Sequence, residues 1–291
     1  MRDQNLGLGE TVPEIAPAAP RLRLRLSPMA CLGAGIVLAG IAMAILGQAL
    51  SPYDAGAIVD TDVFGPMSPA FPLGTDYLGR DMLSRILLGA RYTVGIAALA
   101  TALACTAGIG LGLFAAVVGG WTDSALSRLL DALTSIPSKM LALVLIAGLG
   151  SSLPILVLTM AFIYVPGCYR ITRALAVNIA AEDFVLAAKA RGEGRGYIML
   201  REVMPNMVGP LATDFGLRFV FVVLLLSSLS FLGLGVQPPY ADWGSLVREN
   251  VAGLSYGAPA VVMPAIAIAI LTIGVNLLVD NLPGRARAGG R

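Results

Sequence analysis

The stretch EDFVLAAKARGEGRG, residues 182–196, is a polar, charge-dense insert between long apolar runs of this chain. Four of its residues recur at the spacing of one helix face, which predicts a short helix: Phe184, Ala187, Ala188 and Arg191. Glycine tolerates backbone angles that a helix interior forbids, so the glycines at 192, 194 and 196 are expected to end this helix. A second helical pattern runs from Tyr197 to a stop at Pro205. We use the name insert for residues 182–206 as a whole. The insert is therefore predicted to form two helices in water, which either dock onto a soluble partner or form a solvated loop.

The composition assigns the chain to a membrane. Hydrophobic residues make up 57% and charged residues 13% of its 291 positions, and the mean hydropathy is +0.80. A typical soluble domain carries about 25% charged residues. The formal net charge of +2 gives a nucleic-acid partner no electrostatic footprint. We therefore expect an integral membrane protein whose partners include the lipid bilayer and exclude nucleic acids.

Absent residues exclude several kinds of site. The chain has no histidine, which removes serine–histidine–aspartate triads and the HExxH zinc helix. It also has no Gly-Lys dipeptide, so it cannot be its own P-loop ATPase. Cys31, Cys105 and Cys168 lie in different apolar runs without metal-binding spacing and are expected to be small buried hydrophobes. No catalytic residue, metal or cofactor is therefore expected on this chain.

Six apolar stretches reach the roughly 20 residues that a helix needs to cross a bilayer. They are residues 29–50, 90–119, 124–147, 153–173, 208–235 and 259–280. The first is too long for the core of a cleaved signal peptide, which has about 7 to 15 residues. The predicted fold is all-α, a polytopic membrane protein with six transmembrane helices.

The distribution of positive charge predicts the orientation of these spans. One side carries thirteen cations: Arg2, Arg21, Arg23, Arg25, Arg170, Arg173, Lys189, Arg191, Arg195, Arg201, Arg285, Arg287 and Arg291. The other side carries four: Arg80, Arg85, Arg91 and Arg248. Because positive loops stay in the cytoplasm, both termini and the insert are expected there. The predicted layout is a cytoplasmic tail over 1–28, a first span over 29–50, an extracytoplasmic segment over 51–89, a five-helix core over 90–281 containing the cytoplasmic loop 174–207, and a tail over 282–291.

Ionisable residues in apolar stretches are candidates for function or for local neutralisation. Arg128 with Asp131, and Asp214 with Arg218, have the spacing of ion pairs on one helix face. Lys139 has no obvious partner in the sequence, so it is a candidate for the translocation path or a subunit contact. Small residues late in the fifth span are further candidates, with simple packing as the alternative: Ser227, Ser230 and Gly233.

Two segments between spans also carry predictions. Residues 73–85 have helical spacing and are expected to form an interfacial helix on the outer surface. Residues 243–254 are expected to form one or two turns that place Trp243 at the membrane interface. The second span carries a small residue at every fourth position, which predicts close helix packing: Ala100, Ala104, Gly108, Gly112, Ala116 and Gly120.

The insert resembles the EAA loop in permease subunits of binding-protein-dependent ABC importers. Ala187-Ala188, Gly192 and Met204-Pro205 occupy the places of the motif's alanine pair, glycine and closing Leu-Pro. Further matches follow in order: Gly74-Thr75-Asp76, Gly79-Arg80-Asp81, Ser135-Ile136-Pro137, residues 166–170 and residues 230–239. The ordered set spans most of residues 30–282 and is similar to the second permease subunit of the dipeptide, oligopeptide and nickel group, which has the MetI-like, type I importer fold.

This resemblance implies a non-catalytic subunit in the bacterial inner membrane. Its implied partners are a second homologous permease, two ATP-binding subunits that carry ATP and Mg²⁺, and an extracytoplasmic solute-binding protein. The loop residues implied to couple to the ATPases are Phe184, Ala187, Ala188, Lys189, Arg191, Gly192, Glu193 and Pro205. The implied function is ATP-driven import of peptides or related small solutes. The alternative is a secondary transporter driven by an ion gradient, which would usually show acidic residues in mid-membrane.

Besides Met204 in place of the usual leucine, two positions and the C-terminal segment depart from the family pattern. Leu186 stands where the motif's glutamate would be, and Glu202 stands where the group commonly has histidine. The acidic residue at 202 is expected to alter pairing with the ATPase. The C-terminal residues 282–291 lack the ending common in the group.

Overall fold

The computed structural model describes residues 27–281, and within that range the protein is helical without a β-strand. The tails predicted over 1–28 and 282–291 lie outside the described residues, apart from residues 27 and 28. The helices are α1 Pro28–Leu50, α2 Met82–Val118, α3 Gly120–Thr134, α4 Ser138–Leu149, α5 Leu153–Ala180, α6 Asp183–Ala190, α7 Arg195–Tyr197, α8 Val208–Phe231, α9 Trp243–Glu249 and α10 Pro259–Asp280. A π-helical turn (Ile198–Val203) and a 3-10 turn (Met204–Met207) join α7 to α8, and a second 3-10 turn covers Val251–Tyr256.

The apolar helices agree with the predicted membrane spans. Five described helical segments are long and apolar enough to cross a bilayer, and a sixth span results if α3 and α4 count as one. These two helices meet at an angle of 84° around Pro137. The third predicted span, 124–147, is therefore broken rather than straight. Elsewhere the bounds shift, since α2 begins at Met82 instead of 90 and α5 continues to Ala180 instead of 173.

Helices α2 and α5 run parallel and form the closest pair of the bundle. A Cβ atom placed on Gly108 would lie 2.3 Å from Cβ of Cys168, and one on Gly112 would lie 2.8 Å from Cβ of Thr172. Only glycine permits this approach, and close backbones gain the dispersion contacts that associate helices in lipid. The small-residue stripe predicted on the second span is thus confirmed as a packing seam at these positions.

Helix α1 packs antiparallel against α10 in the same manner. A Cβ on Gly33 would lie 2.6 Å from the backbone nitrogen of Leu278, and one on Gly274 would lie 2.4 Å from Ile36. The remaining buried residues of α1 are likewise small, namely Ala30, Gly40 and Gly47. Helix α1 therefore lies on the outside of the bundle and touches it along a narrow line.

At one end of the bundle, residues 51–81 and 232–258 pack together into what we call the platform. Asn250 Oδ1 accepts a hydrogen bond of 3.1 Å from the backbone of Tyr77, and the rings of Phe64 and Tyr256 stack at 5.7 Å. The interfacial helix predicted over 73–85 is wrong, because residues 73–81 form turns. Asp81 then starts α2 as its N-cap, accepting from the backbone of Ser84 at 2.8 Å.

Helix α9 fills the centre of the platform. The predicted turns over 243–254 are confirmed, and the Trp243 side chain is buried among protein atoms at 1% exposure. The indole Nε1 donates to the backbone oxygen of Ile86 at 2.9 Å, and the Trp243 backbone donates to Thr93 Oγ1. A buried tryptophan needs such a partner for its N–H. Trp243 therefore anchors the platform to α2.

Candidate functional site

The insert folds as the helix α6 at the end of the bundle opposite the platform. Val185 and Ala188 are fully buried on its inner face, whereas Phe184 is 42% exposed. Ala187 and Lys189 are exposed as well. Phe184 and Ala188, which share one face by their spacing, therefore differ in exposure, because a short helix whose inner face includes Val185 also turns Ala188 inward. Ala188 packs α6 onto the protein, and Phe184 and Ala187 remain open to a partner.

Helix α6 ends in a Schellman motif. The backbone N–H of Gly192 donates to Lys189 O at 3.0 Å, and that of Glu193 donates to Ala188 O at 3.2 Å. Gly192 has φ of +82°, the left-handed conformation in which glycine is favoured. The other two glycines predicted to end the helix do not share this role, since Gly194 has φ of −71° and Gly196 lies inside α7. The break therefore depends on Gly192.

The insert has two arms: the first is α6, and the second runs from Arg195 to Met207. The second arm continues into α8 in helical geometry throughout. Residues 195–231 form one helical segment in which the π turn and the 3-10 turn follow α7. Ile198, Val203 and Met207 are buried in a cluster that also contains Val185 of α6 and Leu113 of α2. Pro205 is exposed within the 3-10 turn. The helix α6 and the segment that leads into α8 thus share one apolar contact with the bundle.

Charged side chains link the two arms on the surface. Arg191 lies 3.9 Å from Glu193 and 3.8 Å from Glu202. The Arg191 side chain is 57% exposed, so both pairs are screened by water. Glu202, where the sequence departs from the family, is thus paired within its own chain.

The candidate residues of the path are distributed over separate elements. Lys139 is exposed on the first turn of α4, with no ion pair among residues 27–281. Ser227 and Ser230 lie on the last turns of α8, and the hydroxyl oxygens of both are buried without a hydrogen-bond partner. Gly233 follows with φ of +88°, and a Cβ there would meet the Arg248 guanidinium at 2.3 Å. Gly233 therefore packs against Arg248 within the platform.

One predicted intramembrane ion pair forms and the other does not. Asp214 accepts from Arg218 Nε at 2.6 Å inside the bundle, as predicted. The pair predicted between Arg128 and Asp131 is wrong, because Asp131 instead pairs with Arg170 of α5 at 3.1 Å. Both partners of that second pair are more than 60% exposed. Of the two predicted pairs, only Asp214–Arg218 is thus formed and buried in the bundle.

Residues 108–288 of this chain match the family described as the binding-protein-dependent transport system inner membrane component. The chain belongs to this family. The glutathione transport system permease protein GsiD of Pectobacterium atrosepticum is 33% identical over 248 residues, covering 84% of this chain and 82% of the relative. The dipeptide transport system permease protein DppC of Alkalihalophilus pseudofirmus is 30% identical over 260 residues, covering 89% and 86%. GsiD of Escherichia coli O157:H7 is 33% identical over 262 residues with the same coverage.

The chain is therefore a membrane permease subunit of an ABC importer, and the alternative of an ion-driven secondary transporter is not supported. The family match also agrees with the helical fold and with a non-catalytic role. It begins at Gly108, so it includes the insert and the candidate residues of α4 and α8. The α1 helix and the first platform segment precede it.

A buried charge network in this permease was missed by sequence reasoning. Asp76 Oδ2 lies 2.8 Å from Arg85 and 2.7 Å from Arg80, and Glu249 Oε2 lies 2.7 Å from Arg85 and 3.3 Å from Arg80. Two cations and two anions balance, which a buried site requires. The charges at 76, 80 and 85 lie close together in the sequence and were a signal, but the second anion that both arginines contact, Glu249, lies on α9.

A second buried carboxylate in the permease starts α9. Asp242 is 0% exposed and forms a capping box, in which its Oδ2 accepts from Gly244 N at 3.1 Å and its own N–H donates to Ser245 Oγ at 2.9 Å. Its Oδ1 has no partner among the described atoms. Burial raises the pKa of this carboxyl above its usual range, and the neighbouring Ser230 and Ser245 hydroxyls and the Gly244 N–H oppose but do not cancel that effect.

Proposed function

We propose that this permease imports peptides or related small solutes using ATP hydrolysed on two separate ATPase chains. It forms one half of the translocation path, and a second homologous permease forms the other half. An extracytoplasmic binding protein delivers the solute. The substrate class is supported by the relatives, which are named for glutathione and dipeptide transport. ATP and Mg²⁺ would bind the partner subunits.

The observation that carries the coupling role is the exposure of large apolar side chains on the insert. The side chains are Phe184 at 42%, Leu186 at 49%, Tyr197 at 43% and Leu200 at 61% exposure. They lie at the charged end of the bundle, where the surrounding residues are polar. Apolar groups that face water at such a site favour burial against another protein. An ATPase surface that covers α6 would satisfy them.

The inner face of the insert supports transmission of motion. Val185 and Ala188 hold α6 against the cluster that also contains Val203 and Met207. A helix held on this face can transmit a displacement from a docked ATPase to α8, because the second arm continues into α8. Gly192 fixes the angle between the arms. The proposed coupling residues are thus divided into contact residues, Phe184, Ala187, Lys189 and Arg191, and positioning residues, Val185, Ala188, Gly192, Glu193 and Pro205.

The distribution of positive charge supports one orientation of the permease in the membrane. With the insert in the cytoplasm, the platform faces the opposite side and is available to the binding protein. The distribution of thirteen cations against four supports this arrangement, with both termini in the cytoplasm. The platform would then lie outside the inner membrane.

The second permease would cover apolar surface on α3 and α4. Trp121 is 85% exposed, and Leu129, Met140 and Val144 are each more than 60% exposed. Lys139 lies on the same pair of helices. We propose that this surface, with Lys139, contributes to the subunit contact or the path, since a lone lysine within an apolar surface needs a partner or water.

A pair of substitutions on α6 tests the coupling role. Ala187→Trp enlarges an exposed position and should leave the chain inserted and stable, while the co-purifying ATPase and ATP-driven uptake are lost. Ala188→Trp enlarges a fully buried position and should lower the stability of the chain itself. Both are measured by affinity purification from membranes, ATPase content and uptake in proteoliposomes. Full ATP-driven uptake by Ala187→Trp, or proton-driven uptake by the chain alone, would contradict the proposal.

A further inference from the structure

Two cysteines that lie far apart in the sequence meet inside the bundle. The Sγ atoms of Cys105 on α2 and Cys168 on α5 are 3.4 Å apart. Cys105 is 5% exposed and Cys168 is fully buried. The burial predicted from the sequence is confirmed for both residues, but their proximity was not predicted. Cys31, which was also expected to be buried, is exposed on α1.

The packing of α2 on α5 holds these thiols together. Gly108 lies one turn after Cys105, and its missing side chain lets the α5 backbone approach at Cys168. Ala104 and Ala161 complete the small apolar cluster around the thiols. A disulfide has an S–S bond of about 2.05 Å, so the sulfur atoms need to approach by only about 1.4 Å. A side-chain rotation within a fixed pair of helices can supply such a shift.

The ion pair of Asp214 and Arg218 lies beside the thiols. The Asp214 carboxylate and the two Sγ atoms are all within 4.8 Å of one another. Arg218 holds Asp214 at 2.6 Å and extends along α5 over Gly167, which precedes Cys168. A carboxylate can accept a thiol proton, and a neighbouring guanidinium stabilises the thiolate that forms. The cluster thus contains the thiol pair, a base and a fixed cation.

We propose that Cys105 and Cys168 form an oxidisable dithiol, which a quinone dissolved in the bilayer converts to a disulfide between α2 and α5. Asp214 takes the proton of one thiol, and the thiolate sulfur bonds to the quinone. The second sulfur attacks the first, the S–S bond forms, and the reduced quinone leaves as its quinol with both protons and both electrons. Asp214 returns its proton in that step. This modification site is independent of the coupling role proposed for the insert.

The bilayer determines which oxidants can reach this site. Cys105 lies at the edge of the buried cluster, next to Thr106 and Ala102, which are exposed on the surface of α2. Polar thiols such as glutathione stay in water, so they would neither form nor reduce a bond inside the apolar bundle quickly. A lipid-soluble oxidant reaches Cys105 from the side.

The test uses the full chain with its partner subunits in proteoliposomes. Cys31→Ser leaves only the two thiols of interest and removes an exposed cysteine of α1 that has no part in the proposal. After incubation with a short-chain ubiquinone analogue, the protein is denatured, alkylated with N-ethylmaleimide and weighed by mass spectrometry. We expect two alkylated thiols with the quinol and none with the quinone, with both regained after reduction.

Three comparisons make the result specific. Adding Cys105→Ser should leave Cys168 alkylatable after quinone treatment. Asp214→Asn should slow closure at least tenfold, while the strong oxidant copper-phenanthroline still closes the pair. Any of three results would overturn the proposal. Cys31→Ser keeps two alkylatable thiols after quinone treatment, or copper-phenanthroline closes the pair while quinone does not. The third is an unchanged rate of closure by quinone in Asp214→Asn. Equimolar zinc that co-purifies with the chain and protects both thiols would also overturn it.

Discussion

Arg85 at the start of α2 and Glu249 at the end of α9 form a 2.7 Å ion pair across 164 positions of sequence. The Arg85 side chain is 3% exposed and also holds Asp76 at 2.8 Å. This contact joins both segments of the platform to the membrane bundle. The network is neutral only while all four of its charged side chains are present.

Removal of Arg85 should therefore unfold the platform. Arg85→Met leaves two buried carboxylates with one cation, and breaking a buried pair costs about 3–5 kcal/mol. We expect a large drop in the apparent unfolding temperature in detergent. Arg170→Met is the matched control, because its pair with Asp131 is exposed and contributes about 0–1 kcal/mol. Equal losses in the two variants would show that the buried network adds no stability.

The buried carboxyl of Asp242 should make stability depend on pH. Its pKa is raised in the folded protein, so folding favours the neutral acid. That stabilisation is complete below the unfolded pKa of about 3.9 and is lost as the pH rises through the folded pKa, by at most about 1.4 kcal/mol per pH unit. Asp242→Asn stays neutral and should flatten the dependence and be more stable at pH 7. Asp54→Asn, at an exposed site, should reproduce the wild-type curve.

Gly108 should tolerate no side chain. Gly108→Ala places a methyl group 2.3 Å from Cys168 Cβ, so α2 and α5 must separate. Gly110→Ala lies two residues away on the same helix with nothing within 4 Å, and alanine favours a helix over glycine by about 1 kcal/mol. We expect the first variant to lower the unfolding temperature and the second to keep or raise it. The seam would be refuted by similar effects from both changes.

Gly192 and Gly194 should respond differently to alanine. Gly192→Ala forces an L-residue to φ of +82°, at a cost of about 1–2 kcal/mol, and should tilt α6 against α8. Gly194→Ala meets no atom within 4 Å at an ordinary φ of −71°. ATP-driven uptake should fall several-fold in the first variant alone, with equal membrane amounts on immunoblots. If Gly194→Ala impairs uptake as strongly, the angle set by Gly192 is not the cause.

Glu202 should matter little for the ATPase. Its carboxylate lies 3.8 Å from Arg191 in the same chain, and that partner is 57% exposed. Glu202→Gln should change stability by less than about 1 kcal/mol and leave the amount of co-purified ATPase unchanged. Arg191→Gln serves as the comparison, because it removes a proposed contact as well as the pair. Loss of the ATPase in Glu202→Gln would restore the sequence-based expectation that this acidic residue alters the pairing.

Local patterns in the sequence predicted the helices, since length and apolarity alone place α1 and α10 within one residue at each end. They failed where long-range contacts decide. No local pattern predicted that Thr93 and Ile86, more than 140 positions before Trp243, would supply its hydrogen bonds. Ala188 shares a helix face with Phe184 by spacing, yet α6 rolls towards the apolar cluster around Val185. No spacing rule joins Cys105 to Cys168.

The break between α3 and α4 has a consequence for the stability of a subunit that lacks its partner. If the two helices form one span, the turn at Ser135, Ile136 and Pro137 lies at bilayer depth, and all three residues are exposed in the single chain. Backbone amides outside a helix cannot face hydrocarbon, so protein or trapped water must cover them. A copy made in excess of its partner would present this turn to lipid and would therefore be less stable in the bilayer than the assembled subunit.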